Sequence, residues 1–202
     1  EIAQFVAASL SEPFELDAIQ NAAGQRIADE TGAEWGCVAA CAAACITLGI
    51  AACMTGNDMG RVSQLPDTAG MPNRVVLQKG HCVSFGAPVT QMIRLSGAEV
   101  VEVGTANGCR PWHIEDALAK GHVAAIMAVE SYHTAGYVGV KLPALAQIAK
   151  KAAIPLVLDA ATQELRLREI VASGADLIGC SAHKYLGSAT AGVMVGRRDL
   201  VE

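Results

Sequence analysis

Three short stretches carry residue types that could act together. "LVLDAAT" ends an apolar run on Asp159, "SAHKYLG" sets Lys184 after a histidine 25 residues downstream, and "VAACAAACITL" offers a turn of very small residues. A carboxylate at a strand end can hold a positive charge on a ligand. A lysine drawn into a partly apolar cleft has its pKa lowered, which frees the amine to form a Schiff base. Small residues at a helix start let backbone N–H groups, here those of Cys41 and Ala42, approach an anion such as a phosphate.

Taken singly, each feature has a plainer reading. The small-residue turn reads as a helix that needs Ala and Cys for close packing. A lone Asp159 reads as a helix N-cap or a solvated turn. A lone Lys184 reads as a surface lysine. Together they supply a phosphate cradle, a partner for a cation and an imine-forming amine, in strand-end order. Those are the parts that a pyridoxal phosphate site requires.

The elements that must position them follow from the apolar pattern. Strand-like runs lie near 34–39, 74–77, 98–103, 123–129, 154–158, 176–180 and 191–195, mostly separated by helical patterns. In "LPALAQIAKKAAIPLVLDAAT" an amphipathic helix, a proline breaker and a continuous apolar strand follow one another. Such alternation predicts an α/β fold: about seven strands in a mostly parallel mixed sheet, with helices on both faces in three layers. The stretch from Ser181 to Thr190 is too short for a helical crossover, so the last two strands are expected to run antiparallel. Leu16, Ile19, Ala23 and Ile27 fall on one face of a surface helix, with Gly32 as its C-cap. In open α/β sheets ligands bind beyond the carboxyl ends of the strands, where all three stretches should lie.

Composition narrows the partners. The 202 residues are 52% hydrophobic but only 4% aromatic, so apolarity comes from small and aliphatic side chains that suit helices packed closely on a sheet. A net charge of -5, with no run of five or more basic residues, gives no electrostatic reason to bind nucleic acid or an anionic membrane. A small molecule is the expected partner. Residues 36–54 carry no charge over 19 positions, but Ala, Gly and Cys dominate them; they read as buried strand, turn and helix rather than a membrane span. Seven cysteines without a Cys-x-x-Cys pair point to reduced thiols in a cytoplasmic protein. Cys37, Cys41 and Cys45 step by four, but Cys37 should still be on a strand; they read as packing residues, and no metal site is expected.

The chain resembles pyridoxal-phosphate enzymes of the aspartate-aminotransferase fold (fold type I), in the selenocysteine-synthase-like and D-glucosaminate-6-phosphate ammonia-lyase branch. The likeness runs through "AGQRIADETGAEWGCVAACAAACITLGIAACMTG", "LPDTAGMPNRVVLQKGH", "MIRLSGAEVVEVGT" and "GADLIGCSAHKYLGSATAGVMVG", nearly the whole chain. It implies that residues 1–202 form a cofactor-binding large domain, with an N-terminal segment and a C-terminal small domain lying outside them. Lys184 would form the Schiff base with pyridoxal phosphate and then shuttle protons at the substrate's α-carbon. Asp159 would pair with the pyridinium nitrogen, and Thr162 would donate a hydrogen bond to the ring's 3-oxygen. Cys41 and Ala42, with Ser181 and His183, would hold the phosphate. His81 would stack on or contact the ring, or else stand as a histidine satisfied at a strand end, and His133 would line the substrate side. Where the family often has a polar or glycine-rich turn, this chain has Ala39, Ala40 and Cys41, so backbone donors would hold the phosphate without a hydroxyl.

The activity that the resemblance implies is a lyase acting on a small amino acid or amino-sugar acid. It would remove the α-proton, eliminate a β-hydroxyl as water, and release ammonia and a keto acid. A selenocysteine-synthase-like transferase and an amino-acid racemase are the rival chemistries. A pyridoxal-phosphate-binding protein without turnover, or a module binding another phosphate ligand, are the rivals of a different class. A homodimer or higher homo-oligomer is implied as well.

Overall fold

The computed structural model describes residues 2–11 and 13–202. The first strand, β1 (Trp35–Ala39), follows helices α1 (Ile2–Ser9) and α2 (Leu16–Thr31). Next come α3 (Ala42–Thr55), α4 (Met59–Gln64), β2 (Arg74–Gln78), α5 (Val89–Leu95), β3 (Glu99–Val103), α6 (Pro111–Ala119) and β4 (Val123–Val129). The chain continues through α7 (Leu142–Ala152), β5 (Leu156–Asp159), α8 (Leu167–Val171), β6 (Leu177–Ser181), β7 (Gly192–Gly196) and α9 (Arg198–Val201). Every strand falls within two residues of its position in the apolar pattern.

The seven strands form one sheet in the order β1-β7-β6-β5-β4-β2-β3. β3, β2, β4, β5 and β6 are mutually parallel. β7 runs antiparallel to both β6 and β1, as the short Ser181–Thr190 connection requires. β1 therefore points the same way as the parallel strands, and the ends of β1, β2, β4, β5 and β6 open on one edge of the sheet.

Side-chain alternation sorts the strands' residues into two cores. Val75, Leu77, Ala125, Met127, Val157 and Leu177 face α3, α5 and α9; Val76, Ile126, Ala128, Leu156, Leu158 and Ile178 face α6, α7 and α8. Burying both faces is why these strands read as continuous apolar runs. The helices thus lie on both sides of the sheet, in three layers.

Helix α2 packs differently from its apolar stripe. Leu16 and Ile19 stay exposed, and the helix docks through Gly24 and Ala28. A Cβ on Gly24 would stand 2.5 Å from the Gly36 carbonyl oxygen, and one on Gly36 would stand 2.5 Å from Ile27 Cγ2. Close approach of two backbones outweighs the gain from burying the stripe's N-terminal half. The uncharged stretch resolves into β1, the turn and α3; among the described residues no helix is long and apolar enough to cross a membrane.

Candidate active site

Where β1, β4, β5 and β6 end, a cavity of about 320 Å³ opens. That lies in the range of small-molecule sites, roughly 300–1,000 Å³. Its wall includes Cys41, Ala42, Asp159, Thr162, Ser181, His183 and Lys184. Residues spread over 143 positions of sequence, from 41 to 184, thus converge because parallel strands bring their carboxyl ends together.

The turn after β1 forms one side. Cys41 is the N-cap of α3, in extended backbone and with no side-chain cap, so the first N–H groups of the helix are left to another acceptor. β7 presses against this turn: a Cβ on Gly192 would lie 2.5 Å from the Cys41 carbonyl oxygen. Thr190 Oγ1 ties the turn from the other side by donating to the Ala40 carbonyl at 3.2 Å. Behind it, burial pushes the Cys45 and Cys180 thiols up to about 12, which leaves them as neutral packing groups.

Asp159 is the last residue of β5 and is buried, with 4% exposure. Among the described residues its carboxylate receives one hydrogen bond, from the Ala161 N–H at 3.0 Å. Burial pushes the carboxyl up to about 6, against the pull of the Ala161 N–H and of the Lys184 charge. Such a group favours a cation beside it, since an opposite charge offsets the cost of desolvation. Lys184 sits on the exposed connection between β6 and β7 and takes part in no ion pair found among the described residues.

Ser181, fully buried at the end of β6, has Oγ 3.2 Å from His183 Nδ1, which is also 3.3 Å from the Ala191 carbonyl oxygen. A carbonyl only accepts, so an Nδ1–H shared by the two leaves the Ser181 hydroxyl proton available to an anion. Thr162 lines the same wall, its Oγ1 accepting from Gln163 Nε2 at 3.4 Å. His133 lines the cavity as well, its ring centroid 4.0 Å from that of Tyr132.

His81 stands apart from these residues. It lines an adjoining cavity of about 50 Å³. Its Nδ1 accepts from the Val129 N–H at 2.9 Å, and its ring meets Tyr137 edge-on at 6.0 Å. Burial, with the Lys141 charge second, pushes the imidazole down to about 4. Sequence reasoning passed over Ala43, Ile46, Val83, Phe85, Val129, Ser131, Tyr132 and Ala161, which complete the main cavity. Most come from loops, where no periodicity marks a lining position.

The residues present suit a planar phosphorylated pyridine: free helix N–H groups and a buried hydroxyl for the phosphate, a buried carboxylate for the ring nitrogen, and a lysine close enough for its charge to act on that carboxylate. The chain is similar to several known proteins. Over 198 residues the chain is 38% identical to a D-glucosaminate-6-phosphate ammonia lyase of Salmonella typhimurium, covering 98% of this chain and 53% of the relative. It is 41% identical over 188 residues to a 5'-C-glycyluridine monooxygenase-decarboxylase of a Streptomyces species, covering 93% and 47%. The chain therefore spans about half the length of the curated relatives it matches. A solved D-glucosaminate-6-phosphate ammonia-lyase superposes with a TM-score of 0.95 at 38% identity, over 99% of this chain and 54% of that one. The model of the SelA family, L-seryl-tRNA selenium transferase, matches residues 26–202, and the chain belongs to that family.

Proposed function

We propose that residues 1–202 are the cofactor-binding large domain of a pyridoxal-phosphate-dependent lyase that deaminates an amino-sugar acid or small amino acid. The observation that carries this reading is the pairing of buried, underbonded Asp159 with Lys184 at one cavity. The cofactor, when bound, supplies an imine to the substrate nitrogen and a sink for the electrons released at the α-carbon.

The chain's own residues do the rest. The N–H groups at Cys41 and Ala42, with the Ser181 hydroxyl, bind the phosphate end and orient the ring. Asp159 holds a proton on the ring nitrogen, and its burial keeps water from competing for that charge. The Lys184 amine takes the α-proton and is placed to return one to the departing hydroxyl. Thr162 orients the ring through its hydroxyl. We assign this protein to the cytoplasm, as a homo-oligomer. The exposed apolar side chains of α1, Ile2, Phe5 and Val6, suit burial against a second copy.

The 41% identity to a monooxygenase-decarboxylase favours a second reading, in which the same lysine and carboxylate serve an oxygen-consuming decarboxylation. One experiment separates them. The full-length protein loaded with pyridoxal phosphate should show a visible absorbance band that borohydride fixes and that Lys184→Ala abolishes. Given D-glucosaminate 6-phosphate and a panel of amino acids, it should release ammonia and a keto acid without taking up oxygen. Oxygen uptake with carbon dioxide release would establish the second reading, and a wild-type protein with no visible band would sink both.

A further inference from the structure

The turn that leads from β1 into α3 is held from outside itself. Ala39 pairs with Gly192 in the last rung between β1 and β7, and beyond that rung the two strands part. A side chain adds one further tie: Thr190 Oγ1 donates to the Ala40 carbonyl at 3.2 Å. The turn "AAC", residues 39–41, carries no hydroxyl of its own, so this one comes from the chain returning toward β7.

What the bond fixes follows from the peptide group. The Ala40–Cys41 peptide is trans. In a trans peptide the carbonyl of one residue and the N–H of the next share a plane and point in opposite directions. Holding the Ala40 carbonyl against Thr190 therefore sets the direction of the Cys41 N–H. Cys41 caps α3 and lines the main cavity, and among the described residues its N–H donates to no group. A donor already aimed binds an anion better than one that must first be turned and held.

The segment that supplies the hydroxyl also carries the lysine. The Ala182 N–H donates to the Ala191 carbonyl at 2.9 Å and the Ser188 N–H to the Ala182 carbonyl at 3.0 Å, which closes residues 182–191 into one hydrogen-bonded loop containing Lys184 and Thr190. Gly192 lets this segment come close to the turn, since a Cβ there would lie 2.4 Å from the Cys41 carbonyl carbon. Thr190 itself is exposed and fills no core position, so packing gives no reason for its hydroxyl. The bond to Ala40 does.

We infer that Thr190 is a positioning residue: its hydroxyl, by holding the Ala40 carbonyl, aims the Cys41 N–H at the phosphate of the cofactor. The inference rests on the proposed pyridoxal phosphate site and adds to it a residue that acts through the backbone of another.

The test compares two probes that differ only in the phosphate, pyridoxal phosphate and pyridoxal, on the full-length protein freed of cofactor. The readout is the dissociation constant taken from the visible band, which needs no turnover. Thr190→Val keeps the side chain's shape and removes the hydroxyl. Its affinity for pyridoxal phosphate should fall about 5- to 10-fold, within the range for one lost hydrogen bond. Its affinity for pyridoxal should change by less than about twofold, because that probe has nothing for the Cys41 N–H to bind. Thr190→Ser keeps the hydroxyl and should bind both probes within about twofold of wild type. Thr190→Ala should repeat the selective loss and serves as the second variant should Thr190→Val not fold. An equal loss for both probes would make Thr190 a support of the lysine loop and overturn the inference. No loss for either probe, or a serine variant as weak as the valine one, would overturn it too. A wild-type protein that gives no visible band with pyridoxal phosphate instead removes the cofactor reading, and the inference with it.

Discussion

Strand β5 has a carboxylate at each end, and the two are treated in opposite ways. At its start, Asp176 is answered by the protein: its Oδ2 accepts from the Leu156 N–H at 2.8 Å and its Oδ1 lies 3.3 Å from Arg197 Nη1. At its finish, Asp159 is more deeply buried yet, among the described residues, receives only the Ala161 N–H. Asp176 closes an account between a strand, a loop and an arginine. Asp159 is left open toward a cavity and a lysine. A carboxylate that costs the fold free energy and faces a cavity is the one with a ligand to hold.

The largest effect should come from closing that opening. Asp159→Asn keeps an oxygen for the Ala161 N–H but cannot hold a proton on the ring nitrogen. Cofactor affinity should fall about 100-fold or more, as expected when a buried charge loses its counterpart. Stability of the cofactor-free protein should move the other way. The Asp159 carboxyl is raised to about 6 from 3.8, so the native state takes its proton before the unfolded chain does. Its cost is absent below about pH 4, grows as pH rises toward 6, and is complete above that, on the order of 3 kcal/mol. Cofactor-free Asp159→Asn should therefore resist denaturant better than wild type at pH 8 and no better at pH 4. Parallel pH-dependent denaturation curves for the two proteins would contradict the reading.

At the other end of the strand, Asp176→Ala should do the reverse. It strips the acceptor from the Leu156 N–H and a partner from Arg197, and should cost about 1–3 kcal/mol of stability by denaturant titration. Cofactor affinity should shift by less than about twofold. A large loss of the visible band would mean that the two ends of β5 are coupled.

The comparison also marks what the sequence made legible. Each strand lay within two residues of an apolar run, and in β4, β5, β6 and β7 burial on both faces leaves no polar interruption inside the run to blur it. Asp159, Thr162, Ser181 and Lys184 could be placed near one another because each is the last residue of a strand or stands three residues beyond it, and parallel strands end together. The loops obeyed no such rule. Phe85 and Tyr132 reach the cavity from segments whose course depends on tertiary contacts such as the Gln78–Val140 clamp, which joins residues 62 positions apart. His81 shares that difficulty: its ring is turned by a backbone N–H on β4, and nothing in "QKGH" encodes the partner. On α2 the apolar period was real, but backbone approach at Gly24 and Gly36 decided the docking face.

A third carboxylate sharpens the contrast with the smallest effect. Glu164 is 6% exposed, and both of its oxygens are buried without a hydrogen-bond partner among the described residues. In burial it matches Asp159, but it does not line the cavity of the site; it opens the turn that leads into α8, close enough to the buried Cys180 for its charge to act on that thiol. If burial without partners were enough to mark a functional carboxylate, Glu164 would qualify. The distinction drawn between the ends of β5 says otherwise, because what sets Asp159 apart is the open cavity and the lysine in front of it. Glu164→Leu removes a polar group that nothing answers and replaces it with apolar surface among apolar neighbours. Stability should rise by about 1 kcal/mol, with the visible band and cofactor affinity unchanged. Glu164→Gln, which leaves a polar group in the same place, should gain less. A drop in cofactor affinity in the Leu variant would instead put Glu164 in the company of Asp159 and require a cation that reaches it in the complete protein.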